Sequence, residues 1–212
     1  MPLEIPDVVV NRLPVYARAL TKLAMDGETV VSSQTLGDQL DVTPAQIRKD
    51  LSYFGRFGKQ GRGYNVQLLL GRLREILGLD RLWRVCLIGV GRLGQAIAEY
   101  GGFEPQGFQV VAIFDSDPQM AGKNVAGTVV RPSADLETYL RANHIDIGIV
   151  AVPAHAAQEV VDRLVNSGVH AILNYAPMMP HVPRDVTVRN IDPVLAMQSM
   201  TFHVKNQQIA AK

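Results

Sequence analysis

Several things are scarce in this sequence, and each shortage removes a class of function. One cysteine, Cys86, occurs in 212 residues, so an intramolecular disulfide or a thiolate metal cluster cannot be assembled. Its place in the apolar run "RVCLIGV" makes it a buried strand residue rather than a reactive thiol. No apolar run reaches the roughly 18 residues of a membrane span. The opening "MPLEIPDVVVNRLP" has acids and prolines where a secretory leader has cations and a long apolar core. A cytoplasmic protein is expected. The five histidines are His144, His155, His170, His181 and His203. None has metal-ligand spacing such as H-E-x-x-H, and no Ser-His-Asp or Cys-His set is legible, so neither a metal nor a catalytic residue is expected. His155 follows a strand end, where a solvent-facing or capping role competes with a cofactor contact.

What is present divides in two. The composition is 47% hydrophobic, enough for real cores. The net charge of +1 conceals a local concentration. Between residues 43 and 74 seven Lys/Arg stand against one acid, Asp50. A solvated charged surface usually mixes its signs, so this imbalance points to a polyanionic partner.

Residues 1–78 read as a DNA-binding domain. "NRLPVYARALTKLAMDG" carries a helical apolar stripe at Leu13, Ala17, Leu20 and Ala24, with Pro14 expected in its first turn. "SSQTLGDQLD" predicts a short second helix with serine caps. In "DVTPAQIRKDLSYFG", Thr43 with Gln46 three residues on forms a capping box, and Pro44 takes the first helical position. Ile47, Leu51 and Phe54 should face the core. The opposite face then carries Ala45, Lys49, Ser52 and Tyr53, flanked by Gln46 and Arg48. Such groups suit a helix in a major groove, where Arg or Lys reaches guanine and Gln reaches adenine. Two short helices across a tight "DV" link match a helix-turn-helix. "GRFGKQGRGYNV" adds a two-stranded ribbon with Lys59 and Arg62 near a glycine-rich tip, the wing of a winged helix that can enter a minor groove. "YNVQLLLGRLREILGL" is a helix leading out.

Residues 79–190 read as a Rossmann-type domain. In "RVCLIGVGRLGQAIAEY" a strand runs into Gly89-x-Gly91-x-x-Gly94, followed by a helical pattern at Leu93, Ile97 and Tyr100. A second strand, "VVAIFDSD", ends in Asp115, 21 residues after Gly94, where the dinucleotide fingerprint wants an acid. Gly89 permits the tight turn, Gly91 lets a pyrophosphate approach the backbone, and Gly94 lets helix and strand pack closely. Asp115 can accept both ribose hydroxyls and would repel a 2′-phosphate, favouring NAD(H). Arg92 either touches the phosphates or points to solvent. Helix "SADLETYLRAN", strand "IDIGIVAV", helix "AHAAQEVVDRLVNSG" and strands "AILNYAP" and "VTVRNI" follow, so the fold class is α/β with a parallel, doubly wound sheet. A flavodoxin-like or CoA-binding sheet without a dinucleotide stays open, as does a small NAD-dependent oxidoreductase with an appended basic domain. No substrate domain is legible, which favours sensing over turnover.

In residues 191–212, "DPVLAMQSMTFHV" opens with Asp192 as cap and Pro193 behind it, and is apolar on nearly every face. Insertion into a partner subunit, giving a homodimer, is expected. Folding back on its own sheet is the alternative.

Taken together, "SSQTLGDQLDVTPAQIRKDLSYFGRFGKQGRGYNV", "LIGVGRLGQAIAEYGGF", "VAIFDSDP", "VAVPAHAAQEVVDRLVNSGVHAILNYAP" and "VRNIDPVLAMQSM" resemble Rex, the bacterial family of redox-sensing transcriptional repressors, over nearly the whole chain. The resemblance implies a winged-helix domain on a Rossmann domain, dimerised through a swapped C-terminal helix. It implies a repressor bound to inverted-repeat operators when NADH is scarce and released by NADH, with NAD+ a weaker competitor. The DNA-facing set is then Ser33, Gln46, Arg48, Lys49, Ser52, Tyr53, Lys59 and Arg62. The cofactor set is Gly89, Val90, Gly91, Arg92, Leu93, Gly94, Asp115, Pro153 and Tyr100. Tyr100, Asp192 and Phe202 fall at the expected switch and dimer junction.

Overall fold

The computed structural model describes residues 5–59 and 62–210. The chain divides into two compact units, Met1–Arg81 and Leu82–Lys212.

The first unit runs α1 (Asp7–Met25), β1 (Val30–Val31), α2 (Ser33–Leu40), α3 (Pro44–Ser52), β2 (Gly58–Lys59), β3 (Gly63–Asn65) and α4 (Val66–Ile76). Helix α1 starts earlier than its stripe suggests, so Pro14 lies in its interior and not in its first turn. Pro14 and Val10 are both on the exposed side of the helix, and the Val10 carbonyl loses its helical donor there. The core joins Leu13, Tyr16 and Leu20 of α1 to Leu36, Ile47, Leu51, Leu69 and Leu73. Ile47 and Leu51 face inward as expected, and burying each contributes about 1.5–3 kcal/mol. Phe54 lies beyond the helix end and is half-buried. Two devices bring α2 and α3 together. Asp41 takes a left-handed φ of 53°, and a Cβ on Gly37 would overlap the Val42 carbonyl oxygen. The wing is a three-stranded antiparallel sheet in the order β1-β3-β2, not a two-stranded ribbon. Two residues of β1 are too few to show a period.

The second unit contains β4 (Trp83–Ile88), α5 (Arg92–Ala98), β5 (Phe108–Asp115), β6 (Asn124–Val125), β7 (Thr128–Pro132), α6 (Leu136–Ala142), β8 (Ile147–Val150), α7 (Ala154–Asn166), β9 (Ala171–Asn174), β10 (Thr187–Asn190) and α8 (Pro193–Ala210). The sheet order is β10-β9-β8-β4-β5-β7-β6. The chain enters at β4, builds outward through β5 and β7, then crosses back to β8. The switch point therefore lies between β4 and β8, where doubly wound sheets bind ligands. All pairings are parallel except β6 with β7. That hairpin, turning at Ala126 (φ 49°) and Gly127 (φ 82°), precedes the expected helix and had no legible signal in the sequence. Cys86 and Ile88 enter one core, Val85 and Leu87 the other, which is why β4 reads as an unbroken apolar run.

Two helix readings are corrected. Helix α5 is seven residues long, so Leu93 is exposed and Tyr100 lies past its end. Residues Ser133–Asp135 form a 3-10 turn before α6. Helix α8 keeps its cap, Asp192 Oδ1 accepting from the Val194 amide at 2.9 Å. Its apolar side chains Val194, Leu195, Met197, Met200, Phe202 and Val204 are all exposed, so it does not fold back on its own sheet. No helix among the described residues is long and apolar enough to cross a membrane.

Candidate nucleotide cleft and DNA-reading face

The three fingerprint glycines are small for three different reasons. Gly89 follows β4 with φ +94°, and a Cβ there would stand 2.5 Å from the Ala151 carbonyl oxygen. A Cβ on Gly94 would overlap the Gly89 carbonyl, so α5 could not seat against the loop. Gly91 has no atom within 4 Å of its would-be Cβ and an ordinary φ of −64°. Nothing among the described residues requires a glycine at 91; an approaching ligand would.

Asp115, at the end of β5, grips this loop. Its Oδ2 accepts from the Val90 amide at 2.5 Å and its Oδ1 from the Asp117 amide at 2.8 Å. A carboxylate offers about four lone-pair sites, so capacity for a diol remains. Val90 is placed otherwise than expected. Its amide is engaged by Asp115, its carbonyl accepts from Gln95 Nε2 at 3.0 Å, and its side chain is buried. It frames the loop and has no free group to offer a ligand.

A cleft of ≈ 430 Å³ opens at the switch point, lined by Gly89, Gly91, Asp115, Ser116, Ser133, Ala151, Val152, Pro153, His155, Glu159 and Arg163 among others. It gathers Gly89, Gly91, Asp115 and Pro153 from the expected set. Arg92 and Leu93 are exposed on the first turn of α5 and do not line it. Sequence reasoning missed Ser133, Glu159 and Arg163. Arg163 donates to Glu137 at 2.5 and 2.9 Å and to the Ser133 carbonyl at 2.5 Å, tying α7 to α6 along the cleft wall. Arg163 holds the Glu137 carboxyl down at about 2. The helical spacing of Glu159 and Arg163, one turn apart on a strand-following helix, was the available signal. No group of three or more acidic, His or Cys side chains that could hold a metal occurs among the described residues.

Tyr100 is exposed and meets Phe103 edge-on, ring centroids 5.1 Å apart. Phe202 is exposed on α8 and meets only the edge of His203 among described ring contacts, at 5.5 Å. Asp192 caps α8. One chain does not bring these three together by any described bond.

In the first unit, α3 presents Arg48, Lys49 and Ser52 to solvent, with Gln46 and Tyr53 half-buried. Thr43 caps the helix by accepting from the Gln46 amide at 3.2 Å. The reciprocal half of the expected capping box is replaced, because the Gln46 side chain donates to Asp50 Oδ1 at 2.7 Å. Arg48 Nη1 donates to Ser33 Oγ at 2.9 Å, linking α3 to the start of α2. Ser52 Oγ donates to the Lys49 carbonyl at 2.7 Å. Arg62 is exposed beside β3; wing-tip residues 60 and 61 and the Lys59 side chain lie outside the described residues. Asp50, the one acid in the basic run, is buried and takes Arg12 Nε and Nη2 at 2.6 and 2.7 Å and the Tyr16 hydroxyl at 2.7 Å. Burial opposes its ionisation, but the bonds from Arg12, Tyr16 and Gln46 prevail and hold its pKa below the usual range. Burial and the same carboxylate push the Tyr16 phenol up. The acid is thus removed from the surface, and the exposed part of the run is cationic.

A redox-sensing transcriptional repressor Rex from Chloroflexus aggregans is 52% identical over 96% of this chain and 96% of its own. Another from Roseiflexus sp. is 53% identical over 95% of this chain and 91% of its own. The chain belongs to the Rex family. The crystal structure of RSP in complex with β-NAD+ and operator DNA superposes with a TM-score of 0.92 at 38% identity, covering 98% of this chain and 96% of that one. RSP with β-NADH superposes at 0.89 and 36% identity over 98% of this chain and 97% of that one. Family models match in two places, a putative DNA-binding protein N-terminus over residues 4–52 and a CoA binding domain over residues 80–178. The fold expected of a Rex protein, a helical DNA-binding unit followed by a Rossmann-type sheet, is present.

Proposed function

We propose that this chain is a transcriptional repressor that binds an inverted-repeat operator as a homodimer when NADH is scarce and leaves it when NADH binds. One observation carries the reading. The full-length match at a TM-score of 0.92 is to a Rex-family protein solved with operator DNA, and RSP was also solved with β-NADH. The chain is a regulator and not an oxidoreductase; the sheet serves cofactor binding. NADH occupies the cleft at the β4–β8 switch point, with NAD+ a weaker competitor. Gly91 gives the pyrophosphate room and Asp115 accepts from the ribose. Lys49, Arg48, Ser33, Ser52, Tyr53 and Gln46 address the major groove, and Lys59 and Arg62 the minor groove. The units divide near residue 78, and residues 191–212 form the element swapped between protomers. Its exposed apolar surface supports that, since such a helix needs a partner to bury it. Tyr100 and Asp192 exchange partners between the two states. A repressor works where its operator is, which places the protein in the cytoplasm.

Anisotropy of labelled promoter fragments from the source genome, titrated with protein and then with NADH, NAD+, NADPH or coenzyme A, tests this. Binding reversed by NADH in the micromolar range, and much less by the others, is expected. Release by coenzyme A would favour the CoA-binding reading, which the match to that family model supports. DNA binding indifferent to all four would refute the coupling.

A further inference from the structure

Asp50 and Asn174 are the only polar or charged residues in the buried class among those described, and Asp50 is the only acid. It sits on α3, the helix assigned to DNA, yet faces away from DNA. Its two oxygens take four donors: Arg12 Nε and Tyr16 Oη on Oδ2, Arg12 Nη2 and Gln46 Nε2 on Oδ1. An ionised carboxylate only accepts, and of the two ends of a glutamine amide only the nitrogen donates. The Gln46 amide must therefore turn its nitrogen inward. Its carbonyl Oε1 is then the end left for the solvent side of α3. A free glutamine amide reads adenine with both ends, accepting from N6 and donating to N7. Here one of the two N–H groups is spent on Asp50 at 2.7 Å, which draws the nitrogen that carries both of them inward.

We propose that Asp50 is a positioning residue that fixes Gln46 as an acceptor-presenting reader. Gln46 then recognises an exocyclic amino group in the major groove, N6 of adenine or N4 of cytosine, and makes no bond to N7. The inference rests on the DNA-reading role of α3. It adds which chemical edge one residue reads, and which buried residue decides that.

The test uses full-length protein and duplexes that the protein itself selects from random DNA. Operator affinity is measured by anisotropy for wild type and Gln46→Ala with each base pair replaced in turn. The pair at which the two penalties fail to add is the one Gln46 reads. At that position, nebularine for adenine or 2-pyrimidinone for cytosine removes only the amino group. Wild type should weaken about tenfold, the value of one hydrogen bond, and Gln46→Ala hardly at all. If the base is adenine, 7-deazaadenine should leave wild type unchanged. A penalty for 7-deazaadenine as large as that for nebularine, or the absence of any coupled pair, overturns the proposal. Two buried variants then test Asp50. Asp50→Asn offers Gln46 either a donor or an acceptor, and should lose most of the tenfold preference. Tyr16→Phe removes a different donor from the same carboxylate and should keep the preference while also lowering the melting temperature. If Asp50→Asn keeps the preference, or Tyr16→Phe loses it, Asp50 does not position Gln46. The base-analogue arm stands even if Asp50→Asn fails to fold. If selection returns no preferred sequence, the DNA-reading role of α3 fails, and this inference with it.

Discussion

Gly91 and Gly94 differ in a way that separates ligand binding from folding. Replacing Gly91 with alanine adds a Cβ that meets nothing within 4 Å at a φ any residue adopts. Stability should hold, or rise by about 0.4–1 kcal/mol because the unfolded chain loses freedom. The melting temperature should not fall. On the proposed reading, the same Cβ stands where a pyrophosphate approaches the loop. Losing two charge-assisted hydrogen bonds at about 1.5 kcal/mol each costs about 3 kcal/mol, a Kd more than a hundredfold higher for NADH. Gly94→Ala adds a methyl that overlaps the Gly89 carbonyl, so the loop and α5 must separate, with a loss of about 1–3 kcal/mol typical of overpacking. Calorimetric titration with NADH, thermal melts and operator anisotropy report the three quantities. Gly91→Ala should melt like wild type and bind operator equally well, and stay bound at NADH concentrations that release wild type. A Gly91→Ala protein that binds NADH with wild-type affinity would refute the assignment of the phosphate path.

The other predictions follow from the same placements. Lys49→Ala or Arg62→Ala should weaken operator binding and lower the slope of log affinity against log salt by about 1 for each phosphate no longer neutralised, with NADH affinity unchanged in titration; unchanged salt dependence would remove that residue from the phosphates. Asp115→Asn keeps an acceptor for one of the two loop amides and removes the charge, so discrimination against NADPH should fall about tenfold or more in competition titrations; unchanged selectivity would remove Asp115 from the ribose. Glu137 has a folded pKa depressed to about 2 by Arg163, so its stabilisation is present above the unfolded value near 4.5 and is lost as pH falls towards 2. With the carboxyl one-third exposed, about 1 kcal/mol is a reasonable worth after solvent screening; denaturant melts of wild type and Glu137→Gln should differ by that at pH 7 and converge near pH 2.

How legible the molecule was depends on the length over which a signal repeats. Helix α3 announced its cap, its start and its inward pair Ile47 and Leu51, because those are local and periodic. The glycine loop was legible because its spacing is short-range, and two of its glycines, Gly89 and Gly94, answer steric demands nearby. Strands β1, β2 and β6 have two residues each, too short for any period, and hydrogen bonding to a neighbour defines them. Glu159 and Arg163 gave only a weak signal, their one-turn spacing in an ordinary amphipathic helix; their position at the cleft depends on how α7 crosses the sheet. Asp50 misled most. In the sequence it dilutes a basic run, while in the fold it lies inside and binds Arg12, 38 residues away. Charge counted along the chain therefore mis-states the charge a partner meets.

Helix α8 decides what sort of switch this protein can be. Its six large apolar side chains are about half exposed in one chain. Burying the rest of each contributes about 1 kcal/mol, so two helices swapped as proposed would give about 12 kcal/mol. The surfaces that receive them lose comparable apolar area, bringing the gross gain to order 20 kcal/mol. Association costs about 4–15 kcal/mol, so the dimer remains favourable. Driving an operator-bound population from 99:1 to 1:99 needs about 5.5 kcal/mol, under 3 kcal/mol from each of two cofactor sites. That is ample to re-aim two reading helices, and it is below what holds the dimer together unless the association cost lies at the top of its range. On the proposed reading, NADH acts on geometry within a persistent dimer, shifting paired α3 helices off the spacing of about 34 Å that successive major grooves require. Linkage then makes operator DNA weaken NADH binding by the same factor, and a ligand such as NAD+ releases DNA only as far as its affinity differs between the two arrangements.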